Sequence, residues 1–176
     1  MFAYHYSGEV IRGSILFLAA ILIQGRLLCN LLDGMVAIEG GLATPAGPVY
    51  NELPDRVSDT LIFIGVGHGL IDLPYAGTLG WITALMALMT AYLRLLGGNC
   101  GLVQSFAGPM AKQHRMATLF VCSLAAIFLP VLYGQALLFI GLVVISVGAA
   151  ITCWRRGQYI IEQLNNAAMV PEAGDE

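Results

Sequence analysis

The sequence predicts an all-α membrane protein, a polytopic bundle of about five transmembrane helices with a candidate active site at its cytoplasmic end. Three observations carry that prediction. Only 11% of the 176 residues are charged, 8 basic and 11 acidic, against roughly a quarter in soluble domains. Hydrophobic residues make up 58% and mean hydropathy is +0.79, more apolar surface than a soluble domain of this length can bury. The polar residues inside apolar sequence gather where the first two stretches meet. The same composition excludes a disordered chain, and a net charge of −3 with few basic residues speaks against a nucleic-acid partner.

Each element follows from a run long enough, at roughly 20 residues, to cross a bilayer as helix. The spans are expected at about 13–38, 57–75, 79–96, 116–133 and 135–154. The breakers between them are Pro45 and Pro48, the run from Pro74 to Gly77, the run from Gly97 to Asn99, and Gly134. The first 13 residues lack a signal-peptide pattern, so the first span is expected to remain in the mature chain. After the fifth span, residues 155–166 are expected to form a short helix with Tyr159, Ile160 and Leu164 towards the membrane. Residues 1–168 thus form one membrane-embedded domain, and 169–176 a short disordered acidic tail. Arg56, Arg94, Lys112, Arg115, Arg155 and Arg156 fall on one side and only Arg12 on the other, which makes the richer side cytoplasmic. Tyr75, Trp81 and Tyr133 then mark the outer interface, Trp154 and Tyr159 the inner one. Cys29, Cys100, Cys122 and Cys153 form no CxxC pair and read as apolar packing residues.

Two polar clusters carry the chemistry. In the first span, Arg26, Asn30, Asp33, Gly34, Ala37 and Gly41 share one helix face. A charge in the apolar core costs about 2.5–3.5 kcal/mol on insertion scales, so Arg26 and Asp33 must face polar groups. A structural Arg–Asp pair between helices would satisfy that, and so would a ligand site. The second cluster favours the site. Pro54 suits the first turn of a helix, and Asp55 and Asp59 then stand four apart on one face. They repel each other unless something cationic offsets them, and a divalent metal held by oxygen ligands is the simple answer, with Arg56 pointing elsewhere. A solvated interfacial loop accounts for Glu39 and Glu52, but not for Asp33 and Asp59.

At these residues the chain resembles the CDP-alcohol phosphatidyltransferase family, whose pattern is D-x2-D-G-x2-A-R, then G-x3-D-x3-D. Here Asn30-Leu31-Leu32-Asp33-Gly34-Met35-Val36-Ala37-Ile38 is followed by Gly47, Asn51, Asp55 and Asp59 at four-residue steps. The run from Ala107 to Arg115 is similar to the family's basic loop. Asn30 and Ile38 replace an aspartate and an arginine of the pattern, and two alignments are open. Either Asn51 and Asp55 or, as we favour, Asp55 and Asp59 take the last two acidic places, which puts Asn51 rather than Gly47 in the glycine place. The family's first helix is expected to be either lost in this divergent bacterial branch or encoded upstream.

The resemblance implies transfer of a phosphatidyl group from CDP-diacylglycerol, or a related CDP-alcohol, to a hydroxyl acceptor with release of CMP. It implies Mg²⁺ or Mn²⁺ held by Asn30, Asp33, Asp55 and Asp59, with Asp59 as general base. Gly34 and Ala37 would leave space for the cytidine, and Lys112 or Arg115 would pair with phosphate of the acceptor or lipid. The implied partners are CDP-diacylglycerol, an alcohol acceptor and membrane lipids, with a homodimer compatible with the fold, in the bacterial cytoplasmic membrane. Arg26 would partly offset the carboxylates or meet a lipid phosphate, or else pack against Asp33 between helices. Gly65, Gly67 and Gly69 are expected to serve helix packing, and His68 to be a hydrogen-bonded bundle residue. A degenerate membrane scaffold and a small transporter are the competing classes.

Overall fold

In the computed structural model, which describes residues 2–40, 45–103 and 108–169, the described chain is helical and contains no strand. The helices are α1 (Phe2–Glu39), α2 (Gly47–Gly69), α3 (Ala76–Asn99), α4 (Lys112–Ile127) and α5 (Val131–Met169). Three of them are long and apolar enough to cross a membrane, over Val10–Leu32, Ala76–Asn99 and Val131–Ala167. α4 is 16 residues long, and the first half of α2 carries Glu52, Asp55, Arg56 and Asp59.

Several boundaries differ from the sequence expectation for local reasons. Pro48, not Pro54, occupies the first turn of α2, which therefore starts at Gly47 and carries Pro54 inside it. That helix ends at Gly69, before the expected 75, and α3 begins at Ala76 after a turn in which Tyr75 takes φ 63°. Gly97, Gly98 and Asn99 do not break α3. Gly97 is a close-approach residue, since a Cβ there would meet Ile160 Cγ1 at 3.3 Å. The break between α4 and α5 falls at residues 128–130, because Pro130 sets the start of α5. Gly134 lies inside α5, where a Cβ would meet the Ala126 carbonyl at 3.1 Å. No break occurs at 154 either: the expected separate short helix is the end of α5, with Ile160 buried and Leu164 exposed. The expected acidic tail lies outside the described residues beyond Met169.

In space the helices pack in the order α2, α3, α5, α4, α1, with a smaller contact between α2 and α5. The buried positions of α3 are all small: Ala76, Gly80, Thr83, Ala84, Ala87, Thr90, Ala91 and Gly97. Small side chains let backbones approach and gain dispersion energy where lipid removes the hydrophobic driving force. The closest crossing is α2 on α3, where a Cβ on Gly67 would lie 2.6 Å from Ala76 O and one on Gly80 2.7 Å from Phe63 O. Gly65 and Gly69 are not packing residues, because nothing lies within 4 Å of a Cβ at either. Thr83 Oγ1 and Ser146 Oγ, 2.6 Å apart, tie α3 to α5. Phe63, Met116, Leu119, Leu142 and Ile145 fill the centre. α1 and α2, though consecutive, leave between them an apolar groove of about 740 Å³ that ends at Arg26.

The alternation of direction brings the C-terminal ends of α1, α3 and α5 and the N-terminal ends of α2 and α4 to one end of the bundle. At the other end Asp72 exchanges two hydrogen bonds with Gln135, holding the α2–α3 turn to the start of α5.

A candidate polar site at one end of the bundle

Each site residue is delivered by a helix end. Asn30 lies on α1, two turns from its end. Asn51, Glu52, Asp55 and Arg56 come from the first turns of α2, Thr90 and Arg94 from the end of α3, Lys112 to Arg115 from the first turn of α4, and Arg156 from α5. Together they line a pocket of about 460 Å³ that is partly open to solvent. The loop before α4 is fixed from two sides. Met110 N donates to Thr152 Oγ1 at 3.2 Å, and Arg115 Nη1 donates to Met110 O at 3.0 Å. Gly108 is required there, with φ +139° and a Cβ position that would lie 2.8 Å from Thr152 Oγ1.

The two aspartates of α2 are buried, Asp55 at 8% and Asp59 at 2% exposure. Their mutual repulsion is offset by basic side chains of the chain itself, not by an ion alone as the spacing led us to expect. Arg26 Nη2 lies 3.1 Å from Asp55 Oδ1 and 2.7 Å from Asp59 Oδ1. The second contact is an ion pair without hydrogen-bond direction, so Asp59 Oδ1 has no hydrogen-bond donor. Lys112 hydrogen-bonds the other oxygen of Asp55. Arg115 Nη2 reaches Asp59 Oδ2 at 3.5 Å and Thr90 Oγ1 at 3.1 Å from Nη1. Arg26 therefore pairs across to α2, and Arg115, almost fully buried, positions Asp59 and the Met110 carbonyl. Of the two expected phosphate partners, Lys112 is the more open.

Burial pushes the Asp55 carboxyl up, but the hydrogen bond and charge of Lys112, with Asn30 and Arg26, outweigh it and hold the group below its ordinary range. Glu52 behaves alike: burial raises it, and hydrogen bonds and charges from Arg56 and Arg94 bring it below its usual value. Glu52 is thus a bound member of the site rather than a solvated loop residue, and Arg56 is turned towards the cluster through it.

Of the residues expected from sequence, Asn30, Asn51, Asp55, Lys112 and Arg115 border the pocket, with Asp59 behind Asp55. Gly47 opens α2 and does not border it. The side chains of Asp33, Gly34 and Ala37 lie outside the described residues, as does Gly41; only the helical backbone of the first three is described. Glu52, Arg56, Thr90, Arg94 and Arg156 went unassigned to the site. The signal for the arginines was present, since Arg94 and Arg156 sit in apolar sequence where a charge requires a partner.

Two buried carboxylates and the Asn30 amide are hard oxygen donors of the kind Mg²⁺ or Mn²⁺ takes. No group of three acidic, histidine or cysteine side chains gathers among the described residues. Asp59 Oδ1, in an ion pair with Arg26 at 2.7 Å, is the carboxylate atom of the site without a hydrogen bond. The donor chemistry fits a divalent ion provided that Arg26 or Lys112 gives way to it.

No family model matches the chain. Over 118 residues it is 30% identical to the inner membrane protein YnbA of Escherichia coli (strain K12), a match that covers 66% of this chain and 57% of that protein. The chain thus matches little more than half the length of that relative. With the three apolar helices, this similarity makes the chain a membrane protein with transmembrane helices.

Proposed function

We propose that the protein is a CDP-alcohol phosphatidyltransferase of the bacterial cytoplasmic membrane, with five membrane-spanning helices and its active site at the cytoplasmic face. The observation that carries this reading is the convergence of Asn30 of α1, Asp55 of α2 and Lys112 of α4 on one pocket at a bundle end, with Asp59 behind Asp55. A site so placed admits a lipid from the side, through the apolar groove that ends at Arg26, and a soluble alcohol from water. The basic residues at this end agree with a cytoplasmic orientation.

In the reaction, the acceptor oxygen forms a new bond to the phosphorus that carries the diacylglycerol, and the bond from that phosphorus to the CMP oxygen breaks. CMP leaves with that electron pair, and the acceptor's proton passes to a carboxylate. Asp59 Oδ1, buried and without a hydrogen bond, is suited to receive it once Arg26, 2.7 Å away, turns aside. Arg115 fixes the orientation of that carboxylate through the other oxygen. Lys112, freed from Asp55 when the donor binds, is placed to meet its phosphate. A divalent ion held by Asn30, Asp33, Asp55 and Asp59 would neutralise pyrophosphate charge when bound. Gly34 and Ala37, small residues that follow Asp33 in the sequence, would leave room for the nucleoside.

The test is CMP release from CDP-diacylglycerol by the purified protein, with and without Mn²⁺. Asp59→Asn and Asp33→Asn variants that kept full activity would sink the site assignment. One observation favours a second reading, a non-catalytic scaffold of the same fold: each described carboxylate of the site is already held by two cations of the chain. A protein whose melting temperature ignores Mn²⁺ and CDP-lipid alike would support the scaffold.

A further inference from the structure

Arg26 stands on the wall between two cavities. On one side it borders the apolar groove between α1 and α2, and on the other it meets the carboxylates of the polar site. The oxygens of Asp55 and Asp59 are divided between two neighbouring helices. Both Oδ2 atoms are taken from α4, by Lys112 and Arg115. Both Oδ1 atoms face a single nitrogen of α1, Arg26 Nη2, at 3.1 and 2.7 Å, and the same nitrogen donates to the Asp55 carbonyl at 3.0 Å. A divalent ion shared by those two Oδ1 atoms and a guanidinium nitrogen this close to both exclude each other, by space and by charge. Arg26 thus holds the position that a bridging cation would need. It does not fill that position well. Arg26 Nη1 and Asp59 Oδ1 are buried without a hydrogen-bond partner, which leaves both groups short of what their burial requires.

An arginine displaced from these carboxylates finds no replacement in the groove. The residues that line it include Leu22, Ile23, Leu61 and Ile62 and no carboxylate, and the next charged one, Arg12, lies 14 residues back along α1, about 21 Å away. A charge in such apolar surroundings requires a partner. We propose that Arg26 is an exchangeable cation that couples the two cavities: a divalent ion at Asp55 and Asp59 displaces it towards the groove, where its guanidinium takes the phosphate of an anionic phospholipid whose chains lie in the groove. Ion and lipid then bind cooperatively. The ion releases the guanidinium for the phosphate, and the phosphate keeps the guanidinium away from the carboxylates. This rests on the divalent-ion part of the proposed function and not on turnover. Arg26 stands four residues before Asn30, where the Asn30–Ile38 pattern begins, so the coupling belongs to this chain's own sequence.

The experiment uses the full chain in an uncharged detergent. Bound Mn²⁺ is measured as loss of the free ion's electron paramagnetic resonance signal, with phosphatidic acid, phosphatidylcholine or inorganic phosphate added, and protein-free micelles of each composition are subtracted. In the wild type, phosphatidic acid is expected to raise Mn²⁺ affinity at least about fivefold, and phosphatidylcholine and inorganic phosphate to leave it unchanged. Arg26→Gln is expected to bind Mn²⁺ at least about fivefold more tightly than the wild type without lipid, and to lose the response to phosphatidic acid. Arg26→Lys keeps the charge and is expected to keep the weaker binding. Melting temperature gives a second reading: Arg26→Gln should melt below the wild type without Mn²⁺ and gain more from it. A wild-type affinity indifferent to phosphatidic acid would overturn the proposal, and that result needs no variant to fold. Arg26→Gln binding Mn²⁺ no more tightly than the wild type would overturn it too. An equal response to inorganic phosphate would overturn it by taking the groove out of the coupling. No Mn²⁺ binding by either protein would overturn the divalent-ion reading and the proposal together. Coupling without CMP release from CDP-diacylglycerol would support the proposal and overturn the transferase reading.

Discussion

Replacing Asp59 by asparagine separates charge from shape at the centre of the site. The side chains of Asp59 and Arg115 are 3% and 2% exposed, so neither charge can be rehydrated when its partner is lost. In Asp59→Asn the Arg26 guanidinium keeps Asp55, but Arg115 keeps only neutral acceptors, the Thr90 hydroxyl, the Met110 carbonyl and the new amide oxygen. Breaking a buried pair from one side costs about 3–5 kcal/mol. In a chain of this size that corresponds to a fall in Tm on the order of 10 °C. The assay is thermal unfolding in detergent of the wild type, Asp59→Asn, Arg115→Met and the double variant. The double variant should melt no lower than Asp59→Asn, because removing Arg115 also removes the charge that the first change left unpaired. Simple addition of the two single losses, or an Asp59→Asn protein within about 2 °C of the wild type, would refute the reasoning.

The helix crossing gives a paired test. Gly67→Ala should destabilise by at least about 1–3 kcal/mol, because the new methyl meets the backbone of α3 at 2.6 Å. Gly65→Ala, two residues away with open space around it, should be neutral or stabilising by up to about 1 kcal/mol, and Tm reads both. Gly108→Ala should cost about 1–3 kcal/mol from its positive φ, and more from the clash with Thr152; adding Thr152→Ala should restore only the clash component in the same melts. The Asp55 carboxyl is held below its ordinary value of 3.8, so its stabilisation is complete above that value and disappears as pH falls through the lowered one. Tm should therefore be flat with respect to this group from neutral pH down to about 5 and fall below about 4, with a smaller acid-side drop in Lys112→Met.

The class of fold was readable because a bilayer demands long apolar helices, and scarcity of charge reports them directly. Helix ends were less readable, since glycine has opposite meanings in water and in a packed membrane helix. Gly97 and Gly134 read as breakers and serve as close-approach points, whereas Pro48 and Pro130 set the starts they are built to set. Half of the site was visible for the same reason as the fold: Asp55 and Asp59 stand out because carboxylates in apolar sequence need a cause. Arg26, Lys112 and Arg115 were visible too, but not their pairing with these carboxylates: Arg26 and Asp59 are 33 residues apart in the chain, and only the antiparallel return of α2 beside α1 makes them neighbours. Glu52 looked like a loop residue because the start of α2 was placed a turn and more too late, which removed it from the helix face it shares with Arg56.

The open seam between α1 and α2 bears on the order in which the molecule is built. α1 emerges from the ribosome before the other described helices, yet its extensive packing is with α4, more than 70 residues later in the chain. α2 and α3, by contrast, close on each other through Gly67 and Gly80 as soon as both are made. α1 can therefore meet α2 early through the ion pairs of Arg26, but it gains its extensive packing only when α4 has arrived. The ion pairs of Arg26 with Lys112's partner Asp55 and Arg115's partner Asp59 draw on α1, α2 and α4 together, so the site is completed only when that last union takes place.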